Sequence, residues 1–129
     1  MKDEIKKWQN LLEVLLAKKP EIISNIAKNK QIQDEGVYVI SKPKKIEDIV
    51  YVGKTRTLTI QRRMSAHLSH KHDDTDSDLA NMVIADSQLP QDYENYLVRY
   101  VSLEDPRDRM RFENFAISIL NPELNKTNS

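Results

Sequence analysis

Only two glycines occur in the 129 residues, Gly36 and Gly53, and they bracket a single unit. It reads Gly36-Val37-Tyr38-Val39-Ile40, a polar loop, then Ile49-Val50-Tyr51-Val52-Gly53. Glycine is costly inside a regular element and useful where the chain turns sharply or approaches another group closely. Both positions are therefore expected to serve geometry. Two β-branched runs, each centred on one tyrosine, predict a β-hairpin. Side chains alternate along a strand, so Val37 and Val39 share one face and Tyr38 takes the other. On the second strand Val50 and Val52 share a face and Tyr51 takes the other. With the valines in the core, both phenols point together from the opposite face.

The rest of the chain reads as one domain of helices around that hairpin. Residues 3–17 carry Ile5, Trp8, Leu11, Leu12, Leu15 and Leu16 at helical spacing. Pro20 suits the first turn of a second helix with Ile22, Ile23 and Ile26 as its stripe. Residues 28–35 form a polar connector. Strands are expected at about 36–41, 48–53 and 95–102, with Lys42-Pro43-Lys44-Lys45 and their neighbours as the hairpin loop. A helix over 59–70 buries Ile60, Met64 and Leu68; another over 78–86, capped by Asp76 or Ser77, buries Leu79, Met82 and Val83. The last helix opens on Asp105 and Pro106, carries Phe112, Phe115, Ala116 and Ile119, and ends before Asn121-Pro122. The fold class is α+β: a small three-stranded antiparallel sheet flanked by helices. Residues 1–30 stand as an N-terminal helical extension to a domain over 31–129.

Charge is balanced overall, with 20 basic and 20 acidic residues, which argues against a general nucleic-acid binder. Its distribution is uneven. Residues 42–71 hold eight Lys/Arg against two acids, a net of +6; residues 73–95 hold seven acids and no Lys or Arg. A concentrated cationic stretch suits phosphate binding, and a solvated surface is the plainer reading. There are no cysteines, so disulfides and cysteine zinc sites are excluded, and a cytoplasmic location is expected. No apolar run is long enough to span a membrane.

Gly36-Val37-Tyr38 followed by Tyr51-Val52-Gly53 resembles the paired motif of the GIY-YIG nuclease family. Further landmarks follow in the family's order: Lys54-Thr55, then Arg63-Met64-Ser65-Ala66-His67, then Glu113, then Asn121-Pro122 and Asn125. The resemblance covers residues 36 to 125 and leaves the N-terminal thirty outside it.

The resemblance implies a GIY-YIG-like fold and a metal-dependent DNA endonuclease hydrolysing phosphodiester bonds. Tyr38 would be the general base, with Tyr51 beside it. A free tyrosine has a pKa of about 10, so a cation is needed to favour the phenolate, and Lys54 is the candidate. Arg63 would hold the scissile phosphate; Arg62 is its rival and a further substrate contact. His67 would protonate the leaving oxygen or orient a phosphate, or is simply a half-buried helix residue. Glu113 would be the one protein ligand to Mg²⁺ or Mn²⁺, and the plainer alternative is an ion pair with Arg109, four residues earlier. Asn125 would support the metal site or contact a phosphate, or lie in a C-terminal loop. DNA is the expected partner, with a homodimer through the N-terminal helices as a further arrangement. The alternative function is a non-catalytic nucleic-acid- or protein-binding module on the same fold.

Overall fold

A computed structural model describes residues 2–69 and 78–126. The expected hairpin is its centre, formed by β2 (Gly36–Lys42) and β3 (Lys45–Lys54). Its turn is shorter than the sequence suggests. Pro43 and Lys44 alone connect the strands, with Lys44 in the left-handed region at φ 64°. β3 therefore starts at Lys45, three residues before the expected position.

Among the described residues the sheet is antiparallel with four strands, not three: β1 (Glu21–Ile22), β4 (Leu97–Ser102), β2 and β3, in that order. The added strand is β1, the two residues Glu21–Ile22, paired with the start of β4 (Leu97–Ser102). The pairing continues through the Ile23 N–H, which donates to the Tyr96 carbonyl at 2.8 Å. Two residues carry no readable period, and Pro20 disguised them as a helix start. The second helix, α2, begins only at Ile23 and ends at Lys28.

The alternation argument holds for β2 and for Tyr51, and fails at one residue of β3. Ile40 pairs with Tyr51 and Ser41 with Ile49, so Val50 is bulged out of the ladder. A bulge inserts one residue and shifts the alternation. Val50 consequently packs with the tyrosines, while Val37, Val39 and Val52 pack together on the other face.

Each face has its own layer. The tyrosine face is covered by α2, α3 (Ile60–Leu68) and α4 (Leu79–Ala85), through Ile23, Ile26, Ile60, Met64, Leu79, Met82 and Val83. The valine face is covered by α1 (Lys2–Ala17) and α5 (Pro106–Leu120), where Trp8, Leu12 and Leu15 meet Phe112 and Ala116. The Trp8 and Phe112 rings lie 5.8 Å apart. The N-terminal segment thus shares the core of residues 31–126 and has none of its own among the described residues. Buried Arg99 of β4 ties it further, donating to the carbonyls of Leu16 at 2.8 Å and Ile46 at 3.1 Å. Ile5 and Ile119, read as core positions, are exposed.

Helix ends follow their caps. Thr59 accepts from the Arg62 N–H to open α3, and Asp105 accepts from the Arg107 N–H to open α5, with Pro106 as its first residue. α5 ends on Asn121, which takes the left-handed conformation, and a short α6 (Glu123–Lys126) replaces the expected C-terminal loop. α4 is preceded by Asp78; Asp76 and Ser77 lie outside the described residues. Among the described residues, no helix is long and apolar enough to cross a membrane.

Candidate active site

Tyr38 on β2 and Tyr51 on β3 project from the same face, with ring centroids 6.3 Å apart. Neither glycine of the hairpin has a positive φ, so freedom of turn is not what they supply. They supply room. Tyr38 lies across Gly53, where a Cβ would come within 2.5 Å of its Cζ. At Gly36 a Cβ would run into the Val101 carbonyl.

One turn of α3 presents Arg63 and His67 to the two phenols. His67 meets both rings edge-on at 5.6 Å. Its Nε2 lies 2.7 Å from the Tyr38 hydroxyl oxygen, and its Nδ1 accepts the Leu79 N–H at 2.9 Å. An amide N–H can only donate, so Nδ1 carries no proton and Nε2 does. His67 is therefore neutral and donates to the Tyr38 oxygen, leaving the phenol's own proton free for another acceptor. Burial, aided by the Arg63 charge, holds the His67 pKa well below its usual value. The side chain is completely buried, bonded to Tyr38 and the Leu79 backbone rather than open to a phosphate or leaving oxygen. It holds the Tyr38 hydroxyl in place.

Arg63 pairs at 2.9 Å with Asp78, whose side chain is almost fully buried. Asp78 was not recognised from sequence. It sits in an acidic run that reads as surface, and nothing local shows that the fold returns it to α3. The pair aims the guanidinium at the phenols, and Arg63 opposes the upward shift in both tyrosine pKa values. Burial wins in each case: Tyr38 is pushed far above its usual value, with the Tyr51 charge adding to the effect, and Tyr51 is raised as well.

Lys54 does not play the part expected of it. Its ammonium lies 3.5 Å from Glu113, and the cation facing the phenols is Arg63. Glu113, in turn, does not pair with Arg109. That arginine is buried, donates to the carbonyls of Leu103 and Glu104, and lies 3.8 Å from Glu35. Burial raises the Glu113 pKa although Lys54 and Arg56 pull it down.

Tyr51, Lys54, Arg56, Arg63 and Glu113 line one cavity of about 390 Å³, closed by Thr57 and Leu58 of the β3–α3 loop. β3 is an edge strand, and at this edge the two layers meet. Tyr51 and Arg63 come from the tyrosine side, and Glu113 comes from a helix of the valine side. Tyr38 is completely buried behind this wall and does not line it. Arg62 turns away from the cavity and is exposed. Asn125 is not at the cavity either. Its amide accepts the Val52 N–H at 2.8 Å and donates to the Val52 carbonyl at 2.9 Å, acting as a one-residue strand on the free edge of β3. Asn125 thus holds the backbone between Tyr51 and Gly53. His70 and His72 lie outside the described residues.

The donor set fits a hard divalent cation in one manner only. Among the described residues no group of three His, Cys, Asp or Glu side chains converges. Among the described residues Glu113 is the single carboxylate on the cavity, and Mg²⁺ is commonly held by one or two carboxylates with waters and phosphate oxygens. A half-buried carboxylate with a raised pKa gains from a cation, and Lys54 supplies one in the free protein. Compared with protein-family models, curated proteins and solved structures, the chain matches none of them.

Proposed function

We propose that this chain is a metal-dependent DNA endonuclease, similar to the GIY-YIG nucleases, which hydrolyses phosphodiester bonds. The observation that carries the reading is convergence: residues 51, 54, 63 and 113 line one cavity, with Tyr38 directly behind Tyr51. Arg63, fixed by Asp78, offers a planar fork of donors to the non-bridging oxygens of a phosphate. Lys54 adds a second cation on the same wall. Glu113 would hold Mg²⁺ or Mn²⁺, which would polarise the phosphate and make a bound water more acidic. Tyr51 is the phenol that lines the cavity. Tyr38, the base by resemblance, is set by the His67 N–H and by Gly53, and it shares the Arg63 charge with Tyr51.

Plasmid cleavage with Mg²⁺ or Mn²⁺ tests the reading. Activity is expected in the unchanged protein and lost in folded Tyr38→Phe, Tyr51→Phe, Arg63→Ala and Glu113→Gln variants. Cleavage that survives Glu113→Gln removes the metal-site assignment. A second reading, a binding module on the same fold, is favoured by the complete burial of Tyr38 and the Lys54–Glu113 pair that occupies the acid. Salt-sensitive DNA binding without cleavage in any divalent metal selects it.

A further inference from the structure

Four basic side chains around the candidate site are engaged. Arg63 is held by Asp78, Lys54 by Glu113, Arg109 by Glu35 and two carbonyls, and Arg99 by carbonyls. Arg62 and Lys30, like Lys42, Lys44 and Lys45, form no ion pair among the described residues; what sets them apart is that they face one cavity. Arg62 and Arg63 are consecutive on α3, and successive side chains on a helix point about 100° apart. Arg63 turns to the phenols, whereas Arg62 turns outward into a second cavity of about 600 Å³.

That cavity is cationic and hydroxylated. Lys30, from the turn after α2, faces it with Arg62, Ser65 and Ser69, and among the described residues no carboxylate lines it. Its geometry is built. Gln61, also on its wall, donates to the Ala27 carbonyl at 2.5 Å and ties α3 to α2, and Thr59 caps the Arg62 N–H at 3.2 Å. Leu58 lines this cavity and the Glu113 cavity alike, so the two adjoin across the start of α3.

We propose that the Lys30–Arg62 cavity is a second phosphate subsite, which receives a backbone phosphate of the DNA strand whose neighbouring phosphodiester lies against Arg63 and Glu113. The inference rests on the nuclease reading. Ammonium, guanidinium and hydroxyl groups all donate to phosphate oxygens. A ligand with repeating phosphates suits two adjoining cationic cavities, and a lone carboxylate does not. The strand would then pass over Leu58, with Arg62 and Arg63 reading successive anions from one turn of helix.

The test is fluorescence anisotropy of a labelled DNA duplex in EDTA, across a salt series, with the whole chain. The variants are Lys30→Ala/Arg62→Ala and, as a matched loss of charge, Lys18→Ala/Lys19→Ala at the exposed end of α1. The first pair is expected to weaken binding roughly tenfold at 0.1 M salt and to reduce the slope of log K against log salt by about 1. The second pair is expected to leave both nearly unchanged. Equal affinities in the wild type and the Lys30/Arg62 variant overturn the subsite, and so does an equal loss in the Lys18/Lys19 variant. The nuclease reading fails separately, by absence of plasmid cleavage, and binding in EDTA does not depend on that result.

Discussion

Replacing Gly53 by Ala puts one methyl group where the Tyr38 ring already lies. The new Cβ would be 2.5 Å from Cζ and 2.8 Å from Cε2, and closer still to the hydroxyl oxygen. Backbone conformation is not the obstacle, because φ at Gly53 is not positive. Nor can the ring retreat easily: it is completely buried, flanked by Tyr51 and His67, and anchored through its oxygen. Overpacking of this kind costs typically 1–3 kcal/mol, and the crowding here points to the upper part, about 2–3 kcal/mol. For a chain of this size that lowers Tm by roughly 6–15 °C. Urea unfolding gives the free energy directly. Truncating the obstructing ring supplies the control. In a Tyr38→Leu background the Gly53→Ala cost should shrink by about 1 kcal/mol or more, because the residues are in contact. A Gly53→Ala protein within about 0.5 kcal/mol of the parent, or an equal cost in both backgrounds, refutes the packing argument.

Acid should destabilise the fold through His67. The folded state keeps this imidazole neutral, whereas the unfolded chain takes up a proton near pH 6.5, so stability is full above that pH and falls below it by about 1.4 kcal/mol per unit. Urea midpoints between pH 7.5 and 5.5 measure the slope, and His67→Gln should flatten it. Glu113 has the opposite sign. Its folded pKa is raised, so the folded state binds the extra proton and stability declines as pH rises through that value. Glu113→Gln should be at least as stable as the parent at pH 7.5, with the difference closing in acid; thermal melts without divalent metal at the two pH values check it. Asn125→Ala removes both hydrogen bonds to Val52 and should cost about 1–2 kcal/mol in urea unfolding, with faster amide exchange at Val52.

What could be read from the chain alone followed the local periods. Alternation around Tyr38 and Tyr51 placed the two phenols on one face, and the 63/67 spacing placed Arg63 and His67 on one ridge of a helix; only the resemblance implied that the ridge meets the phenols. The start of α5 was legible because Asp105-Pro106 is a local signal. Contacts between distant segments were not. That Asp78 meets Arg63, that Lys54 rather than Arg109 meets Glu113, and that Asn125 closes the β3 edge all depend on how the layers stack. Val50 was misplaced for a related reason: a bulge is set by pairing register, which no single strand displays. The depth of Tyr38 escaped as well, since alternation gives the side of a sheet and not its cover.

The cavity draws its hydroxyls and guanidinium from the middle of the chain and its acid from α5, on the opposite layer. A ribosome delivers the hairpin and α3 well before that helix and before the residue that clasps the edge strand. On the nuclease reading, a nascent or half-docked polypeptide would lack the complete set of groups. On that reading, catalytic competence would arrive only once α5 and Asn125 have docked, which would spare a cell any cutting by unfinished copies.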